Sequence, residues 1–106
     1  MKIIKGSFRF AGNDGWRTKE GSYANCFPFF IHRESHENLW SLSHMATGYN
    51  VKKCMALKDA KALARYLQAF PLFLVPTLET FTKQLEIHKQ KHPRKHAEML
   101  HKITGR

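Results

Sequence analysis

Acid–base chemistry in this chain would have to come from its histidines or from its eight carboxylates. His32, His36 and His44 are the candidates for a general acid or base, because imidazole changes charge near neutral pH. The carboxylates are scattered, and no glycine-rich phosphate loop, nucleophile elbow or metal dyad accompanies them. Since a single histidine on a strand is more often structural, the sequence predicts a noncatalytic protein.

Metal binding is the second chemistry that the histidines suggest. His88, His92 and His96 follow one another at intervals that would share one face of a continuous helix. Pro93 interrupts that helix, and Glu86 is the carboxylate nearest to ligand spacing. A second group of possible metal ligands lacks the closely spaced pair of residues that a zinc finger requires. Its members are Cys26, His32, His36 and His44. We therefore expect no metal site and no cofactor.

Positive charge is the strongest chemical signal. The chain has 18 Lys and Arg against 8 Asp and Glu, a formal charge of +10. Both residues 1–70 and residues 71–106 are basic, and residues 87–96 contain four cations and three histidines. Such cations attract phosphates through counterion release, whereas a protein that mimics DNA needs the opposite sign. The candidate contacts to DNA or RNA are Lys58, Lys61, Arg65, Lys89, Lys91, Arg94 and Lys95.

Large apolar side chains offer an alternative way to bind a partner. Trp16 and Tyr23 lie in or beside a polar stretch, where they could stack on bases, anchor a protein or fold back over a sheet. In the protein-binding alternative, the cations dock on an acidic surface of a host nuclease, helicase or defence complex, which the protein inhibits or redirects. The expected interface anchors are Trp16, Tyr23, Leu72, Phe73 and Leu74.

Short strands are expected to position the first half of these side chains. Apolar and polar residues alternate around Phe8, Phe29 and Trp40, which is typical of half-buried strands. Residues 11–21 are rich in glycine and turn formers and are predicted to be a mobile loop. Gly48 permits a hairpin turn before the next strand, whose irregular alternation indicates a bulge.

Three helical segments are expected after residue 57. An apolar stripe predicts a helix over about residues 58–70, with Lys58, Lys61 and Arg65 on another face. The stripe consists of Ala60, Leu63, Ala64, Leu67 and Phe70. Thr77 is a suitable N-cap for a second helix, and Pro93 ends it. A last stripe is formed by Ala97, Leu100 and Ile103, with a stop at Gly105.

The sequence thus predicts an α+β fold: a small antiparallel sheet of three to four strands packed on one helix, followed by a basic helical C-terminal extension. Pro71 and Pro76 bracket an apolar bridge that cannot continue a helix. We expect a sheet-plus-helix module in residues 1–70, a linker in 71–76 and the extension in 77–106.

One stretch resembles known modules. Trp-x-Leu-x-His-x-x-Thr-Gly, beginning at Trp40, precedes an extended segment and an alanine-containing helix. This order over residues 39–70 resembles compact three-strand-and-helix modules such as plant APETALA-type and integrase arm-type domains, and is similar to short accessory proteins of temperate phages. The resemblance implies a small accessory protein of a phage or mobile element that binds nucleic acid during DNA or RNA transactions.

The compartment is expected to be the cytoplasm, that of the host cell if a phage encodes the protein. The first residues lack the apolar stretch of a secretory signal, and the longest apolar run, residues 69–75, is too short to span a bilayer. We therefore expect no membrane partner. Cys26 and Cys54 are expected to be buried thiols rather than a disulfide.

Overall fold

The computed structural model describes residues 2–12, 15–33, 38–75 and 77–104. These residues form an α+β fold with an antiparallel sheet of five strands and three α-helices. The strands are β1 (Ile4–Gly12), β2 (Gly15–Cys26), β3 (Phe29–Arg33), β4 (Trp40–His44) and β5 (Asn50–Met55). The helices are α1 (Leu57–Leu67), α2 (Leu78–Lys91) and α3 (Pro93–Thr104), with a short 3-10 helix at Pro71–Leu74. The predicted α+β class is confirmed. The sheet has five strands, whereas three to four strands packed on one helix were expected.

Residues 13–14 of the predicted loop lie outside the described residues. The additional length of sheet comes from residues 11–12 and 15–21, and their prediction as a mobile loop was wrong. They belong to β1 and β2, which pair from Ile4 opposite Tyr23 to Gly12 opposite Gly15. Most side chains in this part of β2 are exposed, so no alternation of apolar and polar residues marks it as a strand. The pairing depends on backbone hydrogen bonds between neighbouring strands instead.

The sheet is covered on both faces. The strands lie in the order β1-β2-β3-β4-β5, each antiparallel to the next. Phe29, Ile31 and Leu42 belong to the core cluster that α1 completes. The alternate residue Phe30 points to the opposite face, because side chains alternate along a strand. There it packs against Phe8 of β1, with 6.0 Å between the ring centroids, so the β1–β2 hairpin covers this second face.

A backbone contact fixes the far end of the hairpin to the turn between β4 and β5. The Ala11 N–H donates to the carbonyl of Gly48 at 2.8 Å. Gly48 has φ +72°, a left-handed conformation that favours glycine, which confirms the predicted turn. The register between β4 and β5 shifts on both sides of Leu42, so the predicted irregularity is confirmed as well.

The sequence predicted α1 and the start of α2 well. All five residues of the predicted α1 stripe are buried, and four of them lie within Leu57–Leu67. Thr77 caps α2, and its hydroxyl accepts a hydrogen bond from the backbone N–H of Thr80 at 3.2 Å. Pro93 is the first residue of α3. The backbone N–H at this position has no partner within the helix, so proline loses no hydrogen bond there.

The inward face of α3 differs from the prediction. His96 and Met99 are buried and Ile103 is partly buried against the core, whereas Ala97 and Leu100 are exposed. Two stripes with spacings of three and four were available on this short helix, and its packing against α1, α2 and β5 selects between them. The predicted stop at Gly105 lies outside the described residues.

The segment between the two prolines contributes to the core. Leu72 and Phe73 are buried, and the ring of Phe73 lies 4.9 Å from that of Phe29 between centroids. Their prediction as anchors of a protein interface is therefore corrected, because core side chains cannot reach a partner without unfolding. Leu74, 57% exposed, is the one of the three that faces solvent. Pro76 lies outside the described residues.

The cysteines differ from each other in exposure. Both are free thiols, and Cys26 is buried as expected, but Cys54 is exposed. Cys54 lies in the irregular part of β5, between Lys52 and Met55, and has φ +59°, so its side chain does not follow the strand alternation. Among the residues that the structure describes, no helix has both the length and the apolar character required to cross a membrane.

Candidate nucleic-acid interface

The exposed face of α1 stands between two depressions of the surface. Ala62, in the middle of this face, borders both of them. We call this exposed face, together with the cations that line the depressions around it, the α1 ridge. These cations are Lys52, Lys58, Lys61, Arg65, Lys95 and Lys102. The ridge forms because the buried stripe of α1 occupies one side of the helix and leaves the polar residues on the other.

Three predicted contacts lie together on one side of the α1 ridge. Lys58, Lys61 and Arg65 line a depression whose apolar part is formed by Leu57 and Ala62. Their spacing of three and four residues places them on one helical face, as the sequence predicted. Lys58 and Arg65 are exposed, and Lys61 is half-buried.

Two further cations lie on the other side of the ridge. Lys52 of β5 and Lys102 of α3 line a groove of about 430 Å³ between β5, α1 and α3. The Nζ atom of Lys102 stands 5.8 Å from the ring centroid of Tyr66, at the outer range of a cation–π contact. Asp59 also lines this groove, so the cations outnumber the carboxylates there by two to one.

A third depression, of about 330 Å³, lies at the C-terminal end of α1 and includes Lys95 of α3. Lys95 is thus the cation of the predicted basic segment that the fold brings to the α1 ridge. Lys89, Lys91 and Arg94 are exposed but do not line any of the three depressions. The seven predicted contacts therefore separate into four that gather around one helix and three that lie apart.

The carboxylate in this third depression has a partner. Burial raises the pKa of Tyr66, and a hydrogen bond with the nearby Glu98 raises it further. Tyr66 of α1 and Glu98 of α3 therefore lie close together. Around the whole ridge, six cations stand against two carboxylates, Asp59 and Glu98, and the balance is positive.

The three histidines of the predicted helix face are close together at the corner between α2 and α3. The Nδ1 atoms of His88 and His96 are 2.9 Å apart, so one of them donates a hydrogen bond to the other. The ring of His92 lies 5.4 Å from that of His88. Burial lowers the pKa of His88, and the positive charges of His96, His92 and Lys95 lower it further. Within the described parts of the chain, no three His, Cys, Asp or Glu side chains are arranged to hold a metal ion.

The histidines considered for acid–base chemistry have structural surroundings. The Nε2 atom of His32 lies 3.0 Å from Oγ of Ser43, which donates to Oδ1 of Asn50 at 2.8 Å. Ser43 is fully buried and His32 is 4% exposed, so both side chains are enclosed by the fold. His44 is also buried, with Nε2 donating to the carbonyl of Phe73 and Nδ1 in contact with the Thr47 hydroxyl at 2.9 Å. His36 lies outside the described residues.

Lys52, Lys102 and Tyr66 border the α1 ridge and are absent from the contacts that the sequence predicted. A signal for Lys102 exists, because it follows Lys95 by seven residues, two turns of α3, and so shares a helix face with it. No comparable signal exists for Tyr66, whose position depends on how α3 crosses α1.

Comparison of the chain with protein-family models, with curated proteins and with solved structures finds no match. The assignment of a function therefore rests on the arrangement of the described residues themselves.

Proposed function

We propose that this protein binds nucleic acid and that the α1 ridge is the principal contact. The observation that carries the proposal is the gathering of six cations from three elements of the fold around one exposed helix face. They are Lys52, Lys58, Lys61, Arg65, Lys95 and Lys102. Cations on both sides of a helix can reach phosphates on both sides of it, and each contact releases condensed counterions.

Binding of this kind suits a noncatalytic accessory protein of a phage or mobile element, as the resemblance of residues 39–70 implies. Phosphate contacts fix the position of a protein on nucleic acid without reading its sequence. The ridge offers positive charge and a mostly aliphatic surface at Leu57 and Ala62, which fits such positioning better than base recognition.

The test is fluorescence anisotropy with labelled duplex DNA, single-stranded DNA and RNA over a series of salt concentrations. The ridge variant Lys58→Gln/Lys61→Gln/Arg65→Gln keeps helix-forming side chains but removes three charges. On duplex DNA we expect its log–log salt slope to be smaller by about 2 to 3, since each lost phosphate contact lowers the slope by about 0.9.

The matched control is Lys2→Gln/Lys53→Gln/Lys83→Gln, which removes the same charge from exposed positions that line none of the ridge depressions. An equal loss in both variants would show that net charge alone is responsible and would remove the ridge from the proposal. The absence of binding by the unaltered protein at about 0.15 M salt would overturn the proposal. The alternative would then be that the cations bind an acidic surface of a host nuclease, helicase or defence complex.

A further inference from the structure

A second groove lies beside the β1–β2 hairpin, away from the α1 ridge. Its volume is about 500 Å³, and it runs between the hairpin, the start of β3 and residues 45–46. Phe8 and Phe30 are the buried part of its lining, and Trp16 and Tyr23 are the more exposed aromatic side chains. Trp16 and Tyr23, which the sequence only marked as candidates for stacking or anchoring, thus belong to one site.

The exposed indole in this groove is held in place. Trp16 is 48% exposed, yet its ring packs against the backbone of Gly48, where a Cβ atom would stand 2.4 Å from Cζ3. On the other strand of the hairpin, the guanidinium carbon of Arg9 lies 4.8 Å from the centroid of the ring. Arg9 and Trp16 therefore form a fixed cation–π pair at the surface, with little rotamer freedom left to lose on binding.

The polar and charged groups nearby indicate which chemistry this pair would recognise. Ser7 and Asn25 bring a hydroxyl and an amide into the same groove, the functional groups that hydrogen-bond base edges. The described parts of the hairpin carry four cations and a single carboxylate, Glu20. A ligand that contacts all of these groups would need a planar aromatic ring with polar edges and an attached negative charge. A nucleotide has both.

We propose that the hairpin groove binds an unpaired base of a single-stranded nucleic acid, stacked on the Arg9–Trp16 pair. Bases in a duplex hide their faces in the stack, whereas an unpaired base can lie on an aromatic ring or a guanidinium plane. The inference rests on the proposed function and adds the class of nucleic acid. It also adds a site whose contribution comes from stacking rather than from charge.

Tryptophan fluorescence tests the inference directly, because the chain has two tryptophans and Trp40 is only 6% exposed. We would titrate the full-length protein with oligothymidylate of about 12 nucleotides, a length within the range of single-strand sites. The comparison ligand is an abasic strand of equal length, which keeps every phosphate but has no base. We expect oligothymidylate to quench the tryptophan emission and to bind more tightly than the abasic strand. The abasic strand should leave the emission unchanged.

A variant separates stacking from charge. Trp16→Leu should weaken oligothymidylate binding about 5- to 150-fold, the range for the loss of one stacked base. Its salt slope should stay that of the unaltered protein, because no phosphate contact is removed. The matched control is Tyr49→Leu, which removes an aromatic side chain that is 52% exposed and lies outside the groove. The control should bind as the unaltered protein does.

The outcomes distinguish this inference from the proposed function. Equal binding of the abasic strand and oligothymidylate would overturn the base site and leave binding through the α1 ridge intact. That comparison uses the unaltered protein, so it decides the matter even if Trp16→Leu fails to fold. An equal loss in Trp16→Leu and Tyr49→Leu would also overturn the base site. Failure to bind any oligonucleotide would overturn the proposed function and, with it, this inference.

Discussion

The β1–β2 hairpin and the corner between α2 and α3 are both basic, but different interactions hold them in place. Backbone pairing runs along the whole hairpin, and the Ala11 N–H joins it to Gly48. The corner is held by side chains instead: the ring of His88 lies 5.5 Å from that of Phe70, and the imidazole of His88 contacts that of His96.

This difference has consequences for how each region responds to its surroundings. Backbone hydrogen bonds do not titrate near neutral pH, whereas imidazoles do. We therefore expect the backbone pairing of the hairpin to be independent of pH and the side-chain contacts of the corner to depend on it. The two regions also differ in how their cations are placed, because Lys89, Lys91 and Arg94 of the corner are exposed whereas Arg9 of the hairpin is stacked on Trp16.

The largest effect is expected from removing a core side chain beneath the start of α2, the helix that leads into the corner. Phe73 is 2% exposed, so Phe73→Ala should lower the free energy of unfolding by about 3–5 kcal/mol, the usual cost of such a cavity. Urea denaturation followed by circular dichroism measures this change. Leu74→Ala, next in the chain but exposed, should stay within about 0.5 kcal/mol. A loss below about 1 kcal/mol for Phe73→Ala would contradict the packing described here.

The attachment of the hairpin can be tested at Gly48. In Gly48→Ala the new Cβ would meet Trp16 at 2.4 Å and the backbone nitrogen of Ala11 at 2.7 Å, at a φ of +72°. We expect a loss of about 1–3 kcal/mol in unfolding free energy and a more solvent-exposed Trp16 emission. Gly21→Ala is the control, since its Cβ would only touch Phe8 at 3.7 Å. Equal results for the two glycines would show that the hairpin is not held at this point.

The corner should lose stability in acid. Because the pKa of His88 is lower in the folded chain than the ordinary value of about 6.5, the unfolded chain binds more protons below that pH. The contribution of His88 is fully present above about pH 6.5 and is lost as the pH falls through the lower folded value. Thermal unfolding from about pH 7.5 to about pH 5.5 should therefore show a decrease in Tm.

The same measurement on His88→Gln, which does not titrate, should show a smaller decrease. His101→Gln is the control, because His101 is exposed on α3 and outside the histidine contact. The groups that face His88 are His92, His96 and Lys95, with Glu98 in the same depression. If His88→Gln and His101→Gln change the pH dependence equally, the paired imidazoles are not its source.

The smallest effect is expected from the exposed cations of the corner. Lys89→Gln/Lys91→Gln/Arg94→Gln removes as much charge as the ridge variant, but from positions that line none of the ridge depressions. We expect its salt slope on duplex DNA to fall by less than about 1, against about 2 to 3 for the ridge variant. A larger fall in the corner variant would move the principal contact from the α1 ridge to the corner.

The sequence alone determined the elements whose signals are local. The stripe from Ala60 to Leu67 matches the helical period, and Thr77 supplies a cap to the N–H three residues later, so both were predicted correctly. The gathering of Lys58, Lys61 and Arg65 on one face follows from that period as well. The charge balance, on which the proposed class of partner depends, is likewise a property of the sequence.

The tertiary structure decided what depends on contacts between residues distant in the chain. The polar half of β2 is a strand only because β1 lies beside it, and Leu72 and Phe73 are core residues only because α2 and β3 meet over them. The positions of Lys52 and Lys102 beside α1, and of Arg9 on Trp16, have the same origin. Periodicity reports which face of an element is apolar, but the free energy of packing selects which elements share that face.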